Sequence, residues 1–288
     1  MRAIDVKQVD AFSRRPFEGN PAGVVTHALG LSEEEMQAIA KELNCSETAF
    51  VLPSGTADLR LRYFTPAQEV DLCGHATIAA LHALREEGRI TGPVQAETRV
   101  GVLDLEAGQD MHWMRQDTPR IKACDDDPGA VAELLGLEYG DLDPEIPIGI
   151  GYTGLWDLLV PVRDLDVLRR AQPDMPELAA HNRSRGIVST HLYCRQTELP
   201  GSTLHTRDFS PAAGVPEDPH TGTASGALAA YLVSRGVLTP GRHLFEQGWT
   251  VRRPGLIHVE VAPGAASVRV GGAAVTVLSG TLSLADRP

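Results

Sequence analysis

Apolar and polar residues alternate over residues 3–12, and the pattern then breaks at the polar stretch leading to Glu18-Gly19-Asn20-Pro21. Alternation of period two predicts a strand ended by a turn. The first helical period comes in LSEEEMQAIAKEL, where Met36, Ile39, Ala40 and Leu43 trace one face and Ser32 and Glu35 supply an S-x-x-E capping box. Further short strands, bounded by Gly and Pro, are expected at residues 48–52, 59–64, 95–106 and 111–116. In the second half they are expected at 156–162, 186–195, 202–209, 249–252, 257–261 and 267–284. Each half also carries one long apolar helix, after Gly74 and after Gly222. Consecutive strands joined by short turns point to antiparallel sheets and an α+β architecture.

The two halves repeat each other. Arg62, Phe64, Pro66 and Ala67 align with Arg207, Phe209, Pro211 and Ala212, an offset of about 145 residues or half the chain. After a short insertion, Gly74-His75-Ala76-Thr77 aligns with Gly222-Thr223-Ala224-Ser225. One repeat of this length predicts two homologous domains, whereas a solenoid needs many shorter ones. The boundary is placed in the turn-rich segment at Pro119, giving domains 1–118 and 119–288, with the last strand packing back on the first half.

Composition narrows the function. With 42% hydrophobic and 22% charged residues the chain can build real cores, and no apolar run reaches the roughly 18 residues of a membrane span. The start lacks a secretory pattern, so a cytoplasmic location is expected. A net charge of −12 without a basic block argues against nucleic acid. Cys45, Cys73, Cys124 and Cys194 form no CxxC pair and read as reduced thiols. No Walker lysine, HExxH or zinc-spaced Cys/His set is present, so no metal and no cofactor are expected. GIGYTG, residues 149–154, matches G-x-G-x-x-G but precedes a strand pattern where a dinucleotide site needs a helix.

In both copies a strand leads through a Pro-containing loop to a glycine that opens the apolar helix. The first helical N–H groups and the positive end of the helix dipole are left open there, and Gly74 or Gly222 permits close approach. Two such ends facing each other across a cleft would grip a small carboxylate. The copies differ where chemistry would require it: Cys73 and His75 in the first, Asp218, His220, Thr221 and Thr223 in the second.

DAFSRRPFEGNPAGVV, CSETAFV, RYFTPAQEVDLCGHATIAA and RDFSPAAGVPEDPHTGTASGALAAYL occur in that order and span both halves. Together they resemble the PhzF-like isomerase family, named for a phenazine-biosynthesis enzyme. The resemblance implies the diaminopimelate epimerase-like fold: two pseudo-symmetric domains, each an antiparallel β-barrel around a central helix, with the site between them. It implies that Glu47 of SETAF is the acid/base, that His75 and Asp218 line the site, and that Asn20, Gly74, Gly222 and Thr223 hold substrate. It also implies a homodimer. Thr223 stands where the phenazine enzyme's pattern has serine, which narrows the pocket.

Taken alone, Glu47 could be a solvated strand-edge acid, His75 a cap and Asp218 an Asx turn. Related racemases use two facing thiols, but Thr221 replaces the second, and a hydroxyl is too weak an acid for that role. Cys73 is therefore expected to pack. Beside a glutamate isomerase or epimerase acting on a small carboxylate stand two other readings, a non-catalytic carboxylate-binding protein and a one-thiol dehydratase or racemase using Cys73.

Overall fold

The computed structural model describes residues 1–285, which divide into two units: residues 1–115 with the segment from Gly271, and residues 116–270. The first unit begins with β1 (Arg2–Ala11), β2 (Asn20–Val25), α1 (Glu33–Leu43), β3 (Glu47–Leu52), β4 (Leu59–Phe64) and β5 (Glu69–Val70). It continues with α2 (Gly74–Glu86), β6 (Gly92–Thr98), β7 (Gly101–Ala107) and β8 (His112–Arg115). The second unit holds β9 (Arg120–Ala123), α3 (Pro128–Leu134), β10 (Gly149–Tyr152), β11 (Trp156–Pro161), α4 (Leu165–Arg170), α5 (Met175–Arg185) and β12 (Ser189–Cys194). Then follow β13 (Leu204–Ser210), β14 (Val215–Asp218), α6 (Gly222–Ser234), β15 (Gly241–Gln247), β16 (Gly255–Val261) and β17 (Val268–Gly272). The last strand, β18 (Ala274–Leu284), pairs antiparallel with β1.

The sheets are mixed, which corrects the expectation of antiparallel sheets. In the first unit β2 pairs parallel with β3 and β4 with β6; in the second β11 pairs parallel with β12 and β13 with β15. A helix explains each case. α1 lies between β2 and β3, α2 between β4 and β6, α4 and α5 between β11 and β12, and α6 between β13 and β15. A crossover helix returns the chain to the same end of the sheet, so the next strand runs parallel, while tight turns leave the other pairs antiparallel. The duplication is thus visible as one repeated order of pairings.

The capping box forms as its sequence predicts: Ser32 Oγ accepts from the Glu35 N–H, and Glu35 accepts from the Ser32 N–H. α1 buries Met36, Ile39 and Ala40 against Val6, Val25, Phe50 and Phe64. α2 is apolar nearly all round and packs on β1, β2, β3, β7, β8 and β18. α6 is buried along most of its length and packs on β10, β11 and β16. Three expectations fail locally. Residues 95–106 form the hairpin β6–β7, residues 267–284 divide into β17 and β18, and residues 249–252 make a turn that follows the unexpected strand β15. Among the described residues no helix is long and apolar enough to cross a membrane.

Two positions show why the EGNPAG loop needs its glycines. Gly19 has φ +69°, and a Cβ there would stand 2.2 Å from the Ala11 carbonyl oxygen. At Gly23, which pairs with Thr48 across the parallel ladder, a Cβ would meet Thr48 Oγ1 at 2.5 Å. Gly19→Ala should lower stability by about 2 kcal/mol or more, measured by urea unfolding, because both the backbone and the contact are strained.

A second stability prediction concerns acid. His112 is buried against His82, their ring centroids 5.6 Å apart, and burial pushes its pKa down from 6.5 to about 4. The unfolded chain then takes a proton near pH 6.5 that the folded chain refuses until about pH 4, so stability is present above that window and lost through it. The loss is up to about 3 kcal/mol. His112→Phe should shrink the fall in melting temperature between pH 7 and pH 4 relative to the native chain.

Candidate active site

The chemistry-bearing side chains of the first unit meet at the entrance of α2. Parallel pairing aligns Ala22 of β2 with Glu47, the first residue of β3, and buried Asn20 stands two positions before Ala22. Glu47 Oε2 lies 3.2 Å from His75 Nε2, and Ser46 Oγ lies 3.3 Å from the same nitrogen. Cys73 Sγ sits 3.4 Å from His75 Nδ1 and 3.9 Å from Nε2. The carboxylate, sulfur and imidazole ligand atoms all fall within 4.8 Å of one another. The side chains of His75 and Glu47 are 6% and 18% exposed.

Burial raises the Glu47 pKa, and hydrogen bonds to Ser46 and Cys73 pull against that rise. The carboxyl is thus held nearer to the value at which it can both take and return a proton. Cys73 is buried as a packing residue would be, yet its sulfur also completes this polar cluster. Both Cys73 and Thr221 are the N-cap residues of long helices, neither side chain caps its helix, and neither first turn carries an acidic residue. Neither helix thus compensates the positive end of its dipole with a side chain of its own, and the carboxylates that stand there, Glu47 and Asp218, come from the segments before it.

In the second unit the helix entrance is organised by different groups. Thr221 Oγ1 donates to Asp218 Oδ2 at 2.7 Å, so its hydroxyl is committed to the carboxylate instead of the helix. Gln247 Nε2 donates to the Asp218 carbonyl at 2.9 Å, and the Thr221 N–H donates to Gln247 Oε1 at 3.1 Å. At the helix start Gln116 Nε2 donates to the Gly222 carbonyl and Thr153 Oγ1 to the Thr223 carbonyl, both at 2.9 Å. Asp218, Gly222 and Thr223 thus gather at one helix entrance, as Glu47, Cys73, Gly74 and His75 do at the other.

Several groups escaped the sequence reading. Arg62 grips Glu69 with two bonds of 2.7 Å, and Arg207 grips Glu217 with two of 2.9 Å. Each clamp ties the short strand before the helix entrance to its neighbour, in the planar two-bond geometry that makes Arg–carboxylate pairs strong. The matched arginines were visible in the repeat; their glutamates were hidden by the insertion. Beneath Asp218, Asp208 pairs with it across the ladder and accepts from Ser189 at 2.8 Å and Ser210 at 2.8 Å. His191 Nδ1 lies 2.9 Å from the same carboxylate, and Ser189 Oγ is also 2.9 Å from Asp157 Oδ1. GIGYTG forms β10 and its turn into β11, a hairpin without the helix a dinucleotide needs.

The sequence matches the phenazine biosynthesis-like protein family over residues 9–280. The chain belongs to that family. It is 35% identical over 288 residues to a Bacillus subtilis protein named as an uncharacterized isomerase, covering 98% of each chain, and 38% identical over 288 residues to a Deinococcus radiodurans protein named in the same way, covering 95% of this chain and 92% of that one. The crystal structure of a PhzF-family phenazine biosynthesis protein from Bacillus anthracis superposes with TM-score 0.92 at 37% identity, over 99% of this chain and 100% of that one. A hydroxyproline epimerase from Agrobacterium vitis shares the fold with TM-score 0.67 at 17% identity, over 98% and 91% of the two chains. This PhzF-like chain is therefore an enzyme of an isomerase family.

Proposed function

We propose that this PhzF-like protein is a cofactor-independent isomerase or epimerase that moves a proton on a small carboxylate-bearing substrate, with Glu47 as the acid/base group. The observation that carries the proposal is the convergence of a largely buried carboxylate on His75 and Cys73 at an uncapped helix N-terminus. The helix end attracts the substrate carboxylate. Glu47 then takes a proton from an acidified C–H bond, the electron pair delocalises into the adjoining unsaturated group, and the carboxyl, after exchanging its proton with solvent, delivers a proton to that carbon or a neighbouring one. His75 donates to the developing negative charge. The packing of α2 against strands from both ends of its sheet supports the finer architecture, a barrel closed around the helix.

The position of the Cys73 sulfur favours one second reading, in which the thiol exchanges the proton and Glu47 and His75 serve it. A panel of amino, hydroxy and cyclic unsaturated carboxylates, including the phenazine precursor, incubated with the enzyme in D₂O tests the proposal. Incorporation of deuterium at carbon in at least one member is the expected result. Ligand-induced stabilisation without exchange in any member would instead indicate a binding protein.

A further inference from the structure

We propose that Glu47, Cys73 and His75 also form a binding site for a soft divalent cation of the zinc class, and that the bound cation holds the enzyme inactive. The inhibition, though not the binding, rests on the acid/base reading of Glu47. Nothing in the spacing of these residues along the chain suggests a metal site, because Glu47 comes from β3 and the other two from the loop and first turn of α2. Folding brings one thiol, one imidazole and one carboxylate together, each able to give one ligand atom, within 4.8 Å of each other.

The spacing fits. A tetrahedral zinc ion with bonds of about 2.0–2.3 Å separates its ligand atoms by about 3.3–3.8 Å. Here Nε2 and Oε2 are 3.2 Å apart, and Sγ and Nε2 are 3.9 Å apart. The sulfur lies nearer Nδ1, at 3.4 Å, than Nε2, so rotation of the Cys73 and His75 side chains is needed to bring all three atoms around one ion, leaving a fourth position open. The donor set also selects the metal. Sulfur and imidazole suit zinc, cobalt and copper, whereas magnesium and calcium require oxygen ligands.

The consequence follows from the same atoms. A cation takes up the carboxylate lone pair that would receive the substrate proton and the imidazole nitrogen that would donate to substrate. Metal binding and proton transfer are therefore mutually exclusive at this site.

The test titrates metal-free protein with Co²⁺ and follows the thiolate-to-cobalt charge-transfer absorption, with Zn²⁺ as competitor and Mg²⁺ as control. The expected result is one band, displaced by Zn²⁺ and untouched by Mg²⁺. It should vanish in Cys73→Ala and persist in Cys124→Ala. Since outer-shell changes alone cost about 10–100-fold in metal affinity, Glu47→Gln and His75→Ala should each weaken binding about 100-fold or more. Circular dichroism of each variant confirms that it is folded, and Cys73→Ser serves where Cys73→Ala is not. Absence of a band together with no zinc bound by calorimetry would overturn the site, as would a band that survives Cys73→Ala. Zinc bound at the site without slowing deuterium exchange would leave the metal site standing and contradict the acid/base role of Glu47.

Discussion

Glu47→Gln should lower the isomerisation rate by about 10² to 10⁴, the usual contribution of a positioned proton-transfer group, with KM changed by only a few-fold. The amide keeps the size of the carboxylate and can still hydrogen-bond to Ser46 and His75, so the fold survives. What it loses is the ability to accept a proton. The melting temperature should stay within about 2 °C of the native value, which separates loss of chemistry from loss of structure. His75→Asn removes a donor and not the acid/base group, and its effect should be smaller than that of Glu47→Gln.

The largest expected effect on stability lies in the second unit, at the carboxylate below Asp218. Asp208→Ala would strip the shared partner from Ser189, His191 and Ser210, all buried, and should cost about 3–5 kcal/mol. Asp157→Asn should behave in the opposite way. Ser189 has one hydroxyl proton but contacts both carboxylates, so one of them must hold a proton of its own. Burial, with the nearby Asp208 charge, raises the Asp157 pKa well above 3.8 and makes Asp157 that group. Below pH 3.8 the folded and unfolded chains both hold this proton; above it the unfolded chain releases its proton first, so native stability falls as pH rises toward the raised value. Asparagine carries no such cost. Asp157→Asn should be at least as stable as the native chain at pH 7, and its advantage should shrink at pH 4, both read from urea midpoints.

The sequence made some of this structure legible and hid the rest for physical reasons. The capping box of α1, the two apolar helices opened by Gly74 and Gly222, and the duplication were readable because each depends on residues close in sequence or repeated in it. The parallel pairings were not, since alternation reports which face of a strand is buried and says nothing of the direction of its neighbour. α5 was missed although Asp174 caps it, Pro176 lies in its first turn and Gly186 ends it in a left-handed conformation. Its polar sequence, MPELAAHNRSR, has too weak an apolar stripe to register as a period. Residues 249–252 read as a strand from composition, but Gly248 and Arg252 hold positive φ, which bends the chain into a turn. The candidate site shows the same division. Glu47 and His75 were legible through motifs, whereas Gln247, Asp208 and the Arg–Glu clamps depend on strands that meet only after folding.

Deuterium incorporation from D₂O into the substrate, followed by NMR in the native enzyme, Glu47→Gln and Cys73→Ala side by side, shows whether Glu47 transfers the proton at carbon. Exchange should be lost in Glu47→Gln and persist in Cys73→Ala. Exchange that persists in Glu47→Gln and is lost in Cys73→Ala would contradict that role of Glu47 and place the proton on the thiol.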